Sequence, residues 1–88
     1  MSGGPKHKLV FSPLCRRLTS DGVTIRVHIF RREFESDWTL EVEDHKGGST
    51  LWSHTFATDQ AALDDVMKLI AAEGFLRFLV GPGRFTVH

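Results

Sequence analysis

An Asp21-Gly22 pair stands between two runs of alternating apolar and polar residues, and this feature limits most strongly what the chain can form. Asp-Gly between such runs is the strongest short signal for a β-hairpin with a two-residue loop. The runs predict strands over about 14–19 and 23–32. The register predicts the cross-strand neighbours Leu18 with Ile25, Leu14 with Ile29, Cys15 with His28, Arg17 with Arg26 and Thr19 with Thr24. A one-residue shift would expose the apolar side chains, so the alternation itself selects this register.

A third strand is predicted over 37–44, where Trp38, Leu40 and Val42 alternate with polar residues. The charged segment between the second and third strands predicts a turn with Phe34 at its tip. A four-residue loop over 33–36 pairs Val27 with Val42, Ile29 with Leu40, His28 with Glu41 and Arg26 with Glu43. Apolar residues then face apolar residues on one side, and basic residues face acidic ones on the other.

The chain from residue 50 onward predicts one more strand and one helix. A fourth strand over 50–56 follows a Gly47-Gly48 turn, with Trp52, His54 and Phe56 expected to point inward. Thr58 is a good N-cap, and Asp59 suits the positive end of a helix dipole. The helix over 59–73 carries its apolar stripe at helical spacing. The stripe consists of Ala62, Leu63, Val66, Met67, Leu69 and Ile70, with Asp64, Asp65 and Lys68 outside it and Gly74 as the C-cap.

The sequence therefore predicts an α+β fold, in which a four-stranded antiparallel meander carries one helix on one face. Residues 1–8 are expected to form a flexible arm, and residues 9–88 a single domain. After Gly74 comes a short apolar segment, in which Phe85 and Val87 alternate with polar residues as in a short strand. One sheet with one helix has little room to bury all of these side chains, so we expect part of the segment to form an interface.

Composition limits the classes of protein that remain. The chain has 88 residues and one cysteine, so it forms no intramolecular disulfide, and a reducing, cytoplasmic location is expected. Eleven basic residues balance eleven acidic ones, so the net charge attracts neither nucleic acid nor an anionic membrane. No apolar run approaches the ~20 residues that span a bilayer. We expect no membrane insertion and no cofactor.

Two groups of residues are candidates for chemistry or ligand binding. The predicted register places Cys15, His28 and Glu41 in one row, which is the arrangement that activates a thiol nucleophile. Arg17, Arg26, His28 and Phe30 point to the same outer face and combine cations with an aromatic ring, as single-stranded nucleic-acid binders do on a sheet. Glu41, Glu43 and Asp44 oppose that interpretation. The histidines show no spacing typical of a metal site: His7, His28, His45, His54 and His88.

The favoured interpretation is a small non-enzymatic interaction module that forms homodimers. We expect it to associate through an edge strand or through the apolar C-terminal residues Phe75, Leu76, Phe78, Leu79 and Phe85. Single-stranded nucleic-acid binding on the outer face is the first alternative. Thiol chemistry at Cys15 is the distant one, and any small-molecule ligand is unknown.

The pattern from Trp38 to Asp64 resembles small uncharacterised bacterial proteins. It consists of a Trp-Thr-Leu-Glu-Val strand, a Gly-Gly-Ser-Thr-Leu-Trp turn and strand, and the helix start from Phe56 to Asp64. This resemblance implies the same fold and no assigned activity. The four strands and helix also look like the repeat of PUR-type single-strand binders. The strand-to-helix join is similar to the arm-binding domains of tyrosine recombinases and to plant AP2 domains. Those DNA-reading domains carry basic residues where this chain has Glu41 and Glu43, and no functional residue is transferred from them.

Overall fold

A mostly antiparallel sheet with one helix on one face forms the protein, as the α+β prediction requires. The structure, a computed structural model, describes residues 8–20, 22–74 and, for the backbone, 83–87. The described elements are β1 (Leu9–Phe11), β2 (Arg16–Ser20), β3 (Val23–Arg32), β4 (Thr39–Asp44), β5 (Gly48–Trp52), α1 (Asp59–Glu73) and β6 (Gly83–Val87). Their order in the sheet is β1-β3-β4-β5-β6, and β2 pairs with the same edge of β3 as β1 does.

The hairpin between β2 and β3 has the predicted register. Leu18 lies opposite Ile25 and Arg17 opposite Arg26, and the last pair joins Ser20 with Val23, as the predicted two-residue connection requires. Gly22 has a φ of 79°, a left-handed conformation that glycine adopts without strain. The local turn residues therefore determine the register of this hairpin.

The pairing of β3 with β4 also follows the prediction. Val27 lies opposite Val42, Ile29 opposite Leu40, His28 opposite Glu41 and Arg26 opposite Glu43. The continuous strand begins at Thr39 rather than at residue 37, because Trp38 forms only an isolated bridge with Phe56. The Trp38 ring packs partly against the core, and the Arg31 guanidinium lies 5.1 Å from its centroid.

The core lies between the sheet and the helix. Ile25, Val27 and Ile29 are buried, whereas Arg26 between them is exposed, so the alternation along β3 is the predicted one. The buried apolar residues are Ile25, Val27, Ile29, Leu40, Val42, Trp52, Ala62, Leu63 and Val66. Full burial of a Val, Leu or Ile side chain contributes about 1.5–3 kcal/mol, which makes this layer the main source of stability.

Helix α1 has the predicted ends and most of the predicted stripe. The Thr58 side chain accepts a hydrogen bond from the Ala61 N–H, and Gly74 ends the helix with a φ of 75°. Met67 is 41% exposed, so the inward stripe is narrower than expected. Asp65, expected outside, is half-buried and accepts a 2.7 Å hydrogen bond from the Trp52 indole N–H. This bond fixes the helix to β5.

The fourth predicted strand is displaced toward the N-terminus. It was expected over 50–56, but β5 spans Gly48–Trp52, because the Asp44 side chain holds a tight turn. Asp44 Oδ1 accepts hydrogen bonds of 2.8 Å from the backbone N–H groups of both Lys46 and Gly48. Trp52 is buried as predicted, whereas His54 is exposed and packs at 4.8 Å against the Phe56 ring.

The first edge of the sheet is split into two strands. One strand was predicted over 14–19, but β2 spans Arg16–Ser20, and Leu9–Phe11 forms the additional strand β1. A connection over 12–15 separates them, and Ser12 within it is buried. Its hydroxyl donates a 2.7 Å hydrogen bond to Asp59 Oδ2 and accepts one from the Leu14 N–H. The connection is thereby attached to the start of the helix.

The second edge of the sheet is β6, which pairs in parallel with β5. Phe85 lies opposite Thr50, so the predicted strand character around Phe85 is confirmed. Parallel neighbours require a crossover connection, and α1 lies in it. Residues 1–7, which include most of the expected arm, and 75–82 lie outside the described residues. Within the described residues no helix has the length and apolarity that crossing a membrane requires.

Candidate interaction surface

The sheet face opposite α1 has no helix on it among the described residues; this surface, here the helix-free face, carries the residues predicted for ligand binding. Along β3 the side chains of Arg26, His28 and Phe30 alternate with the buried residues Ile25, Val27 and Ile29. Arg17 of β2 joins them, because it lies opposite Arg26. The structure thus brings together on one face all four residues that the sequence predicted: Arg17, Arg26, His28 and Phe30.

Arg17 and Arg26 form a cross-strand pair of like charge. Cβ atoms of directly opposite residues lie about 4.5–5.5 Å apart, and like charges in such positions destabilise a sheet. Both arginines are exposed, and within residues 8–20 and 22–74 neither side chain has a hydrogen-bond or ion-pair partner. An anion bound between them would relieve this repulsion.

The acidic neighbours of this pair take other partners. Glu43 was predicted beside Arg26 and does lie opposite it, but its Oε1 is 3.2 Å from His28 Nε2. Glu41, opposite His28, accepts a hydrogen bond from the Ser49 hydroxyl. Carboxylates therefore line β4, whereas the unpaired cations lie on β2 and β3.

The other arginines of β3 interact locally. Arg31 donates hydrogen bonds to the carbonyls of Arg32, Glu33 and Glu35 and lies over the Trp38 ring. Arg32 Nη1 is 3.4 Å from a carboxylate oxygen of Glu35. Arg31 stabilises the loop that follows β3, so Arg26 is the arginine of β3 that remains available to a ligand.

An aromatic pair lies at the other end of the helix-free face. The rings of Phe11 and Phe30 are 5.6 Å apart with an interplanar angle of 41°, and Phe11 is 55% exposed. Leu9 beside them is 49% exposed. A hollow of about 230 Å³ adjoins this pair, lined by Leu9, Phe30, Arg31, Arg32, Glu35, Thr39 and Thr55. Phe11 and Leu9 were missed as surface residues, and the alternation in Leu9-Val10-Phe11 is the signal that indicates them.

Cys15 does not join the row predicted for thiol chemistry. Pairing of β2 with β3 ends at Arg16 opposite Val27, so the predicted pairing of Cys15 with His28 is wrong. The thiol instead accepts the Ile29 N–H at 3.1 Å and donates to the Ile29 carbonyl at 3.3 Å. It satisfies backbone groups of β3 in the gap between β1 and β2. His28 is occupied by Glu43, as described above.

The outer edge of β2 is open. Among the described strands only β3 pairs with it, and alternate backbone N–H and C=O groups of an edge strand point outward. β2 is straight enough to pair over all five of its residues. Leu18 at its centre is half-buried and packs against the core. This edge offers a second strand both backbone hydrogen bonds and an apolar contact.

A small cavity of about 110 Å³ lies at the turn after β4, lined by Thr24, Arg26, Glu43, Asp44, His45 and Gly47. Asp44 is 5% exposed, and within the described residues its Oδ2 has no hydrogen-bond partner. In the described part of the chain, no group of three or more His, Cys, Asp or Glu residues is placed to hold a metal ion. The cavity is a feature of the turn after β4.

The predicted C-terminal interface falls mostly outside the described part of the chain. Phe75, Leu76, Phe78 and Leu79 lie there, and Phe85 lies in β6, of which the structure describes the backbone. The chain matches no protein-family model, no curated protein sequence and no solved structure.

Proposed function

We propose that this protein is a small non-enzymatic interaction module that self-associates as a homodimer. The observation that carries the proposal is the outer edge of β2, with which no other described strand pairs, together with a half-buried leucine at the centre of this regular strand. Such edges pair readily with another strand unless a protein protects them. Arg16 and Arg17 are the protecting charges that β2 carries, and its register contains no bulge.

The size of the chain supports the same proposal. A domain of 88 residues buries a smaller share of its surface than a larger domain does, so its stability alone is modest. Pairing with a second copy adds burial around Leu18 and hydrogen bonds along β2. Non-enzymatic action is supported by Cys15, because its thiol is engaged with Ile29 rather than placed beside a general base.

A cytoplasmic location is part of the proposal. Its support is the single cysteine, which is free in the structure and is compatible with a reducing compartment.

Sedimentation velocity over a hundredfold range of protein concentration tests self-association. We expect the weight-average mass to rise from that of one protomer to that of two. The variant Met67→Gln removes an exposed apolar side chain from the helix and serves as the matched control, since it leaves the β2 edge unchanged. A one-protomer mass at every concentration contradicts the proposal, and loss of the dimer in Met67→Gln moves the interface to the helix.

Single-stranded nucleic-acid binding is a second candidate, which one observation favours. Arg17 and Arg26, whose side chains have no partner among the described residues, occupy the same face as exposed Phe11 and half-buried Phe30. Arginines neutralise phosphates, and aromatic rings stack on unpaired bases at about 1–3 kcal/mol per base. The face thus combines the two kinds of contact that such binding uses.

Fluorescence anisotropy with a labelled single-stranded DNA oligonucleotide tests this candidate at low salt. We expect Arg26→Ala to weaken binding and to reduce the salt dependence by about 0.7 in slope, as loss of one phosphate contact does. Phe11→Ala is expected to weaken binding with the salt slope unchanged. Lys68→Ala removes one exposed positive charge from the helix and is the matched control. Absence of binding, or an equal effect of Lys68→Ala, would exclude the helix-free face as the site.

A further inference from the structure

The outer edge and the side chains of β2 indicate how two copies pair. This inference rests on the proposed self-association. We infer that β2 pairs antiparallel with β2 of a second copy about a two-fold axis at Leu18. This pairing joins the arginine pairs of the two copies into one binding site for a multivalent anion. A homodimer of this kind is isologous. When one residue of the first copy contacts a second residue in the other copy, the reverse contact is also formed.

The side chains of β2 select the register. With the axis at Leu18, all five residues overlap, Leu18 meets Leu18, and Arg17 and Arg16 lie opposite the hydroxyl residues Thr19 and Ser20. An axis at Arg17 would place that arginine directly opposite its own copy, which costs free energy because like charges repel. The Leu18 register avoids a direct arginine pair and retains the longest overlap.

Both layers of the protein continue across this junction. Leu18 lies on the helix side of the sheet with Ile25, so its contact with the second Leu18 extends the apolar layer. The two helices then lie on the same side of one continuous sheet. Arg17 and Arg26 lie on the other side, where the helix-free faces of the two copies become one surface.

The junction collects four arginines that have no partner within the described residues of either copy. Strands lie about 4.8 Å apart and rise about 3.4 Å per residue, which places the Cα atoms of the two Arg17 residues roughly 8 Å apart. The two Arg26 residues flank them one strand further out. Four guanidinium groups at this spacing repel one another, and guanidinium groups bind phosphate oxygens in bidentate geometry. A multivalent phosphate is thus the class of ligand that fits, and its binding strengthens the dimer.

Disulfide trapping tests the register in a Cys15→Ser background. Opposite residues of an antiparallel pair have Cα atoms about 4.5–5.5 Å apart, within the range of a disulfide, so Leu18→Cys is expected to form a covalent dimer under mild oxidation. In the same register, the two copies of Thr19 are about 8 Å apart, beyond that range. Thr19→Cys is the matched control and is expected to remain reduced. Equal trapping of both variants, or none of Leu18→Cys, overturns the register.

Hydrogen exchange tests the same pairing without a substitution. We expect the outward amides of β2 to exchange more slowly at protein concentrations that favour the dimer, whereas amides of β4 in the sheet interior stay unchanged. If sedimentation shows a dimer and the β2 amides remain unprotected, self-association stands and the edge pairing fails. If sedimentation shows one protomer throughout, the proposed function itself fails.

Inorganic tripolyphosphate tests the anion site. We expect it to lower the dimer dissociation constant of the wild-type protein by at least about fivefold, a typical size for coupling between two sites. Arg17→Ala removes both the repulsion and the ligand contacts, so this variant is expected to dimerise more tightly without tripolyphosphate and to respond little to it. An equal response of wild-type and Arg17→Ala protein, or no response of either, overturns the anion site.

Discussion

At the scale of single residues, Cys15 has a structural role as a hydrogen-bond partner rather than a role as a reactive thiol. Its thiol contacts both the N–H and the carbonyl of Ile29, where the edge of the sheet lacks a backbone partner. The Ile29 carbonyl also accepts the Ser12 N–H at 2.9 Å, whereas the thiol is the partner found for the Ile29 N–H within the described residues. Loss of the thiol therefore leaves a donor of a buried residue unsatisfied.

We predict that Cys15→Ala lowers the free energy of unfolding by about 1–3 kcal/mol, the typical penalty for an unsatisfied buried polar group. Cys15→Ser is expected to cost less, because its hydroxyl retains a donor and an acceptor. Urea denaturation with both variants measures the difference. Equal free energies for the wild-type protein and Cys15→Ala would show that the thiol contacts contribute nothing.

At the scale of elements, two polar side chains attach the helix to the sheet. Asp65 accepts the Trp52 indole N–H at 2.7 Å in the middle of α1, and Asp59 accepts the Ser12 hydroxyl at its start. A hydrogen bond to a charged group contributes about 1.5–3 kcal/mol. These two bonds set the position of the helix along the sheet, which the apolar contacts alone leave less defined.

Replacement of Asp65 tests the first attachment. We predict that Asp65→Ala lowers the free energy of unfolding by about 2 kcal/mol, because the buried Trp52 N–H loses its charged acceptor. Asp64→Ala removes the neighbouring carboxylate, whose hydrogen bond to Gln60 is exposed, and is expected to cost less than 0.5 kcal/mol. Thermal or urea unfolding followed by tryptophan fluorescence compares the two. Similar losses in both variants would assign the effect to helix charge rather than to the Trp52 contact.

Replacement of Ser12 tests the second attachment. Ser12→Ala removes a donor to Asp59 and an acceptor for the Leu14 N–H, and both of these hydrogen bonds are partly buried. We predict a loss of about 1–3 kcal/mol in the free energy of unfolding and faster hydrogen exchange in β1. Thr55→Ala removes an exposed hydroxyl that donates to Asp37 at 3.3 Å and is the control. Unchanged exchange in β1 would show that its pairing with β3 suffices without Ser12.

The elements also show which parts of the fold sequence patterns can predict. The register of β2, β3 and β4 was predictable, because Asp21-Gly22 fixes one hairpin and the alternation of Ile25, Val27 and Ile29 fixes the side that faces the core. β1 was not predicted, since three residues before Pro13 give too short a pattern. The parallel pairing of β6 depends on a crossover through the helix, and no local turn signal encodes such a contact.

The candidate surface was predictable to a similar extent. The alternation of side chains between the two faces of a strand is sufficient to place Arg17, Arg26, His28 and Phe30 on one face, as the structure confirms. The partner of His28 was not predictable, because diagonal neighbours across strands are also within reach and side-chain rotamers select Glu43 over Glu41. The split edge at Ser12 to Cys15, which moves the thiol away from His28, depends on a partly buried contact with the distant Asp59.

At the scale of the whole molecule, the two faces of the sheet differ in composition and in what packs on them. One is covered by α1 and provides the apolar layer, whereas no described element covers the other, which has cations on β2 and β3 and carboxylates on β4. Because the net charge is zero, long-range attraction to a polyanion is weak, and binding depends on the local arginines. Joining two copies at β2 doubles that local charge while the net charge stays zero.

Stability that depends on protein concentration is the last consequence of this assembly. A dimer that unfolds to two chains gains stability by mass action, so each tenfold rise in concentration adds about 1.4 kcal/mol per dimer. We predict a melting temperature that rises by about 3–5 °C per tenfold concentration, measured by calorimetry. Leu18→Lys places like charges at the two-fold axis and is expected to make the melting temperature independent of concentration. A wild-type melting temperature that stays constant over the same range would show that the folded state is a monomer.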